Sequence, residues 1–341
     1  MDEPNIPLAI DSASPLTPAP PPESERSTIF YGPNGLRAGW RLLIFALILG
    51  GIVSALLLAA HYAAILSGAP PNKPGPQTAI APGIIAIGET ATFGLILLVS
   101  WIMGRIENRR ISHYGLPFRT PFPKNFWAGL IWGFLAISGV LLVMFLCHGF
   151  RITGVDTHGP GLALSALEWA LAFLAVGFFE EFTFRGYMQF TLTTGIGFWP
   201  AACVSSALFA YVHKGNSGES PFGLVQVAAF GIFACIALWR TGNLWWPIGF
   251  HAAWDWGQTF FYGVPDSGMR ASHNFLHTAF NGPTWLTGGS TGPEGSILTT
   301  IALIVASLLV LRFYREVRYP DPDALGLRGF LRMWTSRPPC S

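Results

Sequence analysis

Apolar runs close to the ~20 residues that cross a bilayer recur along this chain at 40–67, 80–103, 126–150, 162–179, 196–212, 222–239, 244–262 and 297–313. Charged residues are too few to turn such a chain into a water-soluble fold. Asp, Glu, Lys and Arg make up 11% of the 341 residues and hydrophobic ones 51%, against roughly 25% charged in soluble domains. A water-facing surface built from this composition would expose large apolar patches. The expected fold is therefore all-α, a polytopic membrane bundle of about eight transmembrane helices. A formal net charge of +2 supplies no basic face for nucleic acid. Cys147, Cys203, Cys235 and Cys340 are scattered without a CxxC pair and read as small apolar residues.

Residues 1–38 are Pro-rich, carry early acids and lack an apolar signal-peptide core, so a disordered cytoplasmic tail is expected there. A transmembrane domain is expected over 39–318 and a second cytoplasmic tail over 319–341. Arg105, Arg109, Arg110, Arg119 and Lys124 after the second run, with Arg312, Arg315 and Arg318 after the last, place both loops and both termini inside. Arg37 and Arg41 beside the first run agree with that orientation. Gly129 and Gly133 form a GxxxG suited to close helix packing. The Gly-rich stretch from Val264 to Ser296 is long for a plain connection and lies on the outer side in this topology.

Ionisable groups inside apolar runs are expensive, and three clusters occur: Glu180, Glu181 and Arg185; Phe209 and His213; His251 and Asp255. Glu181 and Arg185 are four apart on one helix face and can pair, whereas Glu180 points about 100° away and is left to act as a general base. His251 and Asp255 also share a face, which suits a metal, an oxyanion or a hydrogen bond. Phe209 can pack on the His213 imidazole one turn on. Glu89, Glu168, His61, Gln226 and Asn243 read as single polar residues that cap or cross-link helices. Gly288 to Gly292 matches GxSxG but lacks the strand-turn-helix context of a nucleophile elbow. The chain contains no HExxH.

These residues, EExxxR at Glu180–Arg185, FxxxH at Phe209–His213 and HxxxD at His251–Asp255, resemble the CPBP family of intramembrane proteases, which includes the type II CAAX prenyl endopeptidases. The resemblance centres on 161–262 and implies that Glu180 and His213 activate water. It further implies that His251 with Asp255 supports the oxyanion or completes a polar site, with Glu181 and Arg185 in support. Asp255 stands where the eukaryotic CAAX-processing branch carries Asn, so the resemblance leaves metal open. Either no cofactor is used, or one divalent metal such as zinc is held by Glu180, His213, His251 and Asp255.

Peptide hydrolysis needs an activated water and a stabilised oxyanion, and these residue types can provide both. The expected partners are membrane lipid and a membrane-associated polypeptide substrate, and the expected location is a prokaryotic plasma membrane. Two other classes are a non-catalytic immunity or scaffold protein that binds peptides through the same polar site, and a small proton-coupled transporter. Hydropathy alone sets a puzzle. It ends the fourth run at 179 and puts His213 at the far end of the fifth, which would separate Glu180 from His213 by most of the bilayer. Proximity requires the fourth helix to continue beyond Arg185.

Overall fold

The computed structural model describes residues 29–32, 35–67, 81–117, 122–155, 160–216, 218–269 and 274–319. Most of both expected tails, 1–28 and 320–341, lies outside the described residues. The described part of the first tail forms a two-residue antiparallel pair, β1 (Tyr31–Gly32) with β2 (Gly35–Leu36). Tyr319, the first residue of the expected second tail, is buried with its ring against Phe190 and Phe198.

The chain then runs through α1 (Ala38–Leu66), α2 (Pro82–Ile106), α3 (Phe122–Leu146), β3 (Phe150–Val155) and α4 (Pro160–Glu181). There follow α5 (Gln189–Ile196), α6 (Phe198–His213), α7 (Pro221–Thr241), α8 (Trp245–Trp256), β4 (Leu276–Phe280), α9 (Thr284–Thr287) and α10 (Ile297–Phe313). Five stretches are long and apolar enough to cross a membrane: Ala38–Leu66, Pro82–Ile106, Lys124–Leu146, Gly161–Ile196 and Pro221–Thr241. The fifth, seventh and eighth apolar runs form the shorter helices α6, α8 and α10. Such a set of helices is that of a multi-pass membrane protein.

The expectation of an all-α fold needs a correction. β3 pairs antiparallel with β4, from Phe150↔Phe280 to Val155↔Leu276. β3 begins at the end of an apolar run and β4 sits in the Gly-rich stretch more than a hundred residues later, so neither has a local hairpin signal.

Every residue of α8 from Trp245 to Asp255 is buried, as a helix apolar on nearly all faces must be. Its closest neighbour is α3. A Cβ at Gly129 would collide with the Trp246 carbonyl, one at Gly133 with the Phe250 carbonyl, and one at Gly249 with the Phe126 carbonyl. The GxxxG thus does what its spacing suggests: it lets two backbones approach without side chains between them.

Beyond Glu181 the fourth helix does continue. A wide π turn over Phe182–Met188, with Gly186 leaving helical geometry at φ −86 and ψ −108, carries it into α5. Gly197, at φ +83, then reverses the chain into α6, a backbone angle that favours glycine. This hairpin returns His213 to the height of Glu180 and removes the puzzle posed by hydropathy. Arg41, counted above as an orientation signal, is buried in an ion pair with Glu107 at 2.9 Å and also bonds the Thr194 hydroxyl, so it ties α1 to α2 and α5.

Candidate active site

Glu180 and Glu181 project from the last turn of α4 just before the π turn, and π turns inside helices recur at functional sites. Glu181 is fully buried, and its Oε1 accepts from Arg185 Nη1 at 3.2 Å, the pair expected from the four-residue spacing. The same oxygen lies 2.9 Å from His251 Nδ1 on α8, a contact that sequence reasoning missed because it joins residues 70 apart. Arg185 also lies over the Phe209 ring, 4.1 Å from its centroid. Phe209 therefore packs on two site residues, since its ring meets the His213 ring edge-on at 4.5 Å.

Glu180 faces elsewhere, as its position on the helix requires. Its Oε1 is 3.9 Å from His213 Nε2, and its Oε2 is 3.5 Å from His251 Nε2. His213 Nδ1 lies 2.8 Å from the Phe209 carbonyl, an acceptor, so Nδ1 carries a proton, and in the neutral ring Nε2 presents its lone pair toward Glu180. His251 Nε2 is also 3.5 Å from Asp255 Oδ2. All four candidate residues, Glu180, His213, His251 and Asp255, line one cavity of about 330 Å³. A second π turn, Gly257–Phe261, begins two residues after Asp255.

The cavity has a roof that the sequence did not disclose. Asp266, Ser267, Met269 and Glu294, all from the long 264–296 stretch, line it, together with Glu89 of α2 and Gln226 of α7. Glu294 accepts from the Ser267 amide at 2.7 Å and hydroxyl at 2.8 Å, and Asp266 accepts from the Thr259 hydroxyl at 2.8 Å. Burial pushes the Asp266 carboxyl up to about 7. Burial and the neighbouring Asp266 charge push Glu294 up to about 8. The stretch is pinned over the cavity at a second point, where Ser290 Oγ donates to the Gly218 carbonyl at 3.0 Å and Thr291 Oγ1 to Ser220 Oγ at 2.9 Å.

The four residues named for a zinc site do not fit one. Glu180 lies 3.9 Å from His213 and 3.5 Å from His251, and His251 lies 3.5 Å from Asp255, but no three of the four bring donor atoms within 4.8 Å of one another. Among the described residues the one group that brings three donor atoms within 4.8 Å of one another is Asp255, Asp266 and Glu294.

No curated protein and no solved structure matches this chain. A family model does, over residues 162–257, and its description is Type II CAAX prenyl endopeptidase Rce1-like. The matched segment runs from α4 to the end of α8 and holds Glu180, Glu181, Arg185, Phe209, His213, His251 and Asp255. Over these residues the chain is similar to the Rce1-like type II CAAX prenyl endopeptidase family.

Proposed function

We propose that this protein is an intramembrane endopeptidase that hydrolyses a peptide bond in a membrane-associated polypeptide, using a water activated by Glu180 and His213. The observation that supports it is the pairing of two acceptors, Glu180 Oε1 and His213 Nε2, 3.9 Å apart at the wall of a cavity. Two acceptors so placed accept hydrogen bonds from the two O–H groups of one water; as its oxygen attacks the carbonyl, Glu180 takes one proton and delivers it to the amine nitrogen when the C–N bond breaks. His251 is the electrophilic partner in this reading. Glu181 fixes a proton on Nδ1, and a proton on Nε2 then gives a cationic donor for the tetrahedral oxyanion. Asp255 and Glu181 hold the ring from either side, and Arg185 neutralises Glu181.

In the same reading the bundle has eight membrane-embedded helices and both termini in the cytoplasm, and the protein sits in a prokaryotic plasma membrane. The experiment is cleavage of a membrane-tethered peptide reporter by the purified protein in micelles. Wild type is expected to cut and Glu180→Gln to lose at least ~100-fold in rate, the scale of a lost general base. Specific binding of the reporter without cleavage, equal in both proteins, would instead make this a peptide-binding immunity or scaffold protein.

A further inference from the structure

We propose that Asp255, Asp266 and Glu294 form a site for a hard divalent cation of calcium type, with the Gln226 side-chain carbonyl as a fourth oxygen ligand. The three carboxylates come from separate parts of the chain, α8 and two points of the 264–296 roof, yet each offers an oxygen within 4.8 Å of the other two. Oxygens on opposite sides of a calcium ion, each about 2.3–2.6 Å from it, stand about that far apart.

Gln226 supplies the independent observation. It is 3% exposed, lines the same cavity, and is not a carboxylate. Its Nε2 donates to the Ser296 carbonyl at 3.0 Å and also bonds the Thr300 hydroxyl. Ser296 O cannot donate, so the amide is fixed with nitrogen toward α10 and its carbonyl oxygen left on the cavity side. That oxygen has no donor among the described residues. Asp255 likewise accepts no hydrogen bond among the described residues; its contact is His251 Nε2 at 3.5 Å. With its nitrogen held on α10, the Gln226 amide leaves an acceptor in the same cavity that the three acids line, and one divalent cation satisfies such a set of acceptors together.

The ligand set is all oxygen, which selects calcium, magnesium or manganese over zinc, and three protein carboxylates with an amide oxygen suit calcium rather than magnesium, which keeps most of its waters. Bound there, the ion ties α8 to both arms of the roof and holds Asp255 in place beside His251. It takes no part in activating water, which lies on the Glu180 and His213 side of the cavity.

The test is calorimetric titration of calcium, magnesium, manganese and zinc into purified protein in micelles, stripped with EDTA and desalted. Carrying the Glu180→Gln change as well keeps the result independent of whether the protein is a protease. One calcium per chain is expected. Asp266→Asn and Glu294→Gln should each weaken binding at least tenfold, and Gln226→Leu should weaken it by a smaller factor. Glu89→Gln, in the same cavity but outside the group, should leave it unchanged. Each variant is compared only where its thermal unfolding and gel-filtration profile match the parent. Calcium binding absent up to millimolar concentration would overturn the proposal, as would affinity untouched by Asp266→Asn and Glu294→Gln. Preferred zinc binding that disappears in His251→Ala would overturn it in favour of a histidine site.

Discussion

Glu180 and Glu181 are adjacent acids with opposite surroundings, and exchanging each for glutamine should separate stability from chemistry. Glu181 is wholly buried, shares one oxygen between Arg185 and His251, and has its other oxygen buried without a partner. Arg185 is also wholly buried, with Nε and Nη2 unpartnered. Glu181→Gln keeps the shape but strips the countercharge from that guanidinium, leaving a buried charge whose offset is the Phe209 ring face. Breaking one side of a buried pair costs about 3–5 kcal/mol. At about 2 °C per kcal/mol for a chain of this size, the melting temperature should fall by about 6–10 °C. Glu180 has 17% of its side chain exposed, and both its contacts are 3.5 Å or longer, so Glu180→Gln should melt within about 2 °C of wild type. The assay is scanning fluorimetry of both variants in one detergent, with reporter cleavage measured well below the lower melting point. Cleavage should be abolished in Glu180→Gln and only reduced in Glu181→Gln. Equal melting temperatures and equal activity losses in the two variants would refute the division of roles.

The helix packing makes an independent prediction: Gly129→Leu or Gly133→Leu should prevent accumulation of folded protein, because each side chain would enter the α8 backbone. Gly139→Leu, on the same helix with open space around it, should be tolerated in the same expression and gel-filtration comparison. Asp255→Asn keeps an oxygen acceptor beside His251 and should retain part of the cleavage rate, whereas Asp255→Leu should not; rate measurements on both decide it. A zinc-selective chelator should leave the rate of reporter cleavage unchanged, since Glu180, His213, His251 and Asp255 do not converge as a zinc cage. For topology, a single cysteine at exposed His113 should be labelled by an impermeant maleimide only after the cells are opened. Gly115 is unsuitable for that experiment because it sits at φ +92 against Leu244 and Phe190.

The parts legible in the sequence are those whose physics is local. A helical repeat places Glu181 and Arg185 on one face, and Glu180 off it, whatever the rest of the chain does. A GxxxG announces a close crossing without naming its partner. Hydropathy located the helices but misjudged two features. It ended the fourth helix at Glu180, which is there because it lines a cavity, and it took α8, helical with its π turn as far as Phe261, for a lipid-facing span although protein buries it from Trp245 to Asp255. Lipid and protein interior are equally apolar, so composition does not tell one burial from the other.

The remainder depends on contacts that no local pattern encodes. His251 finds Glu181 because α8 docks across the end of α4, and β3 finds β4 across the whole family-matched segment. The roof is the clearest case. In sequence, Asp266 and Glu294 are single acids in a Gly-rich stretch, the residue type most often left to water, and neither has a partner at helical or strand spacing. The glycines there carry the missing information. Gly268 packs against the Gly218 backbone, and Gly288, Gly292 and Gly295 stand where a Cβ would strike the backbone of Gly292, Pro265 and Gly288. A mobile linker has no need for glycine at points of backbone contact. A stretch folded down onto itself and onto the next loop does, and it can then hold two carboxylates over Asp255. Glycine density in a long loop flanked by buried helices therefore marks compaction, and the acids between such glycines are the ones to test for a place in the site.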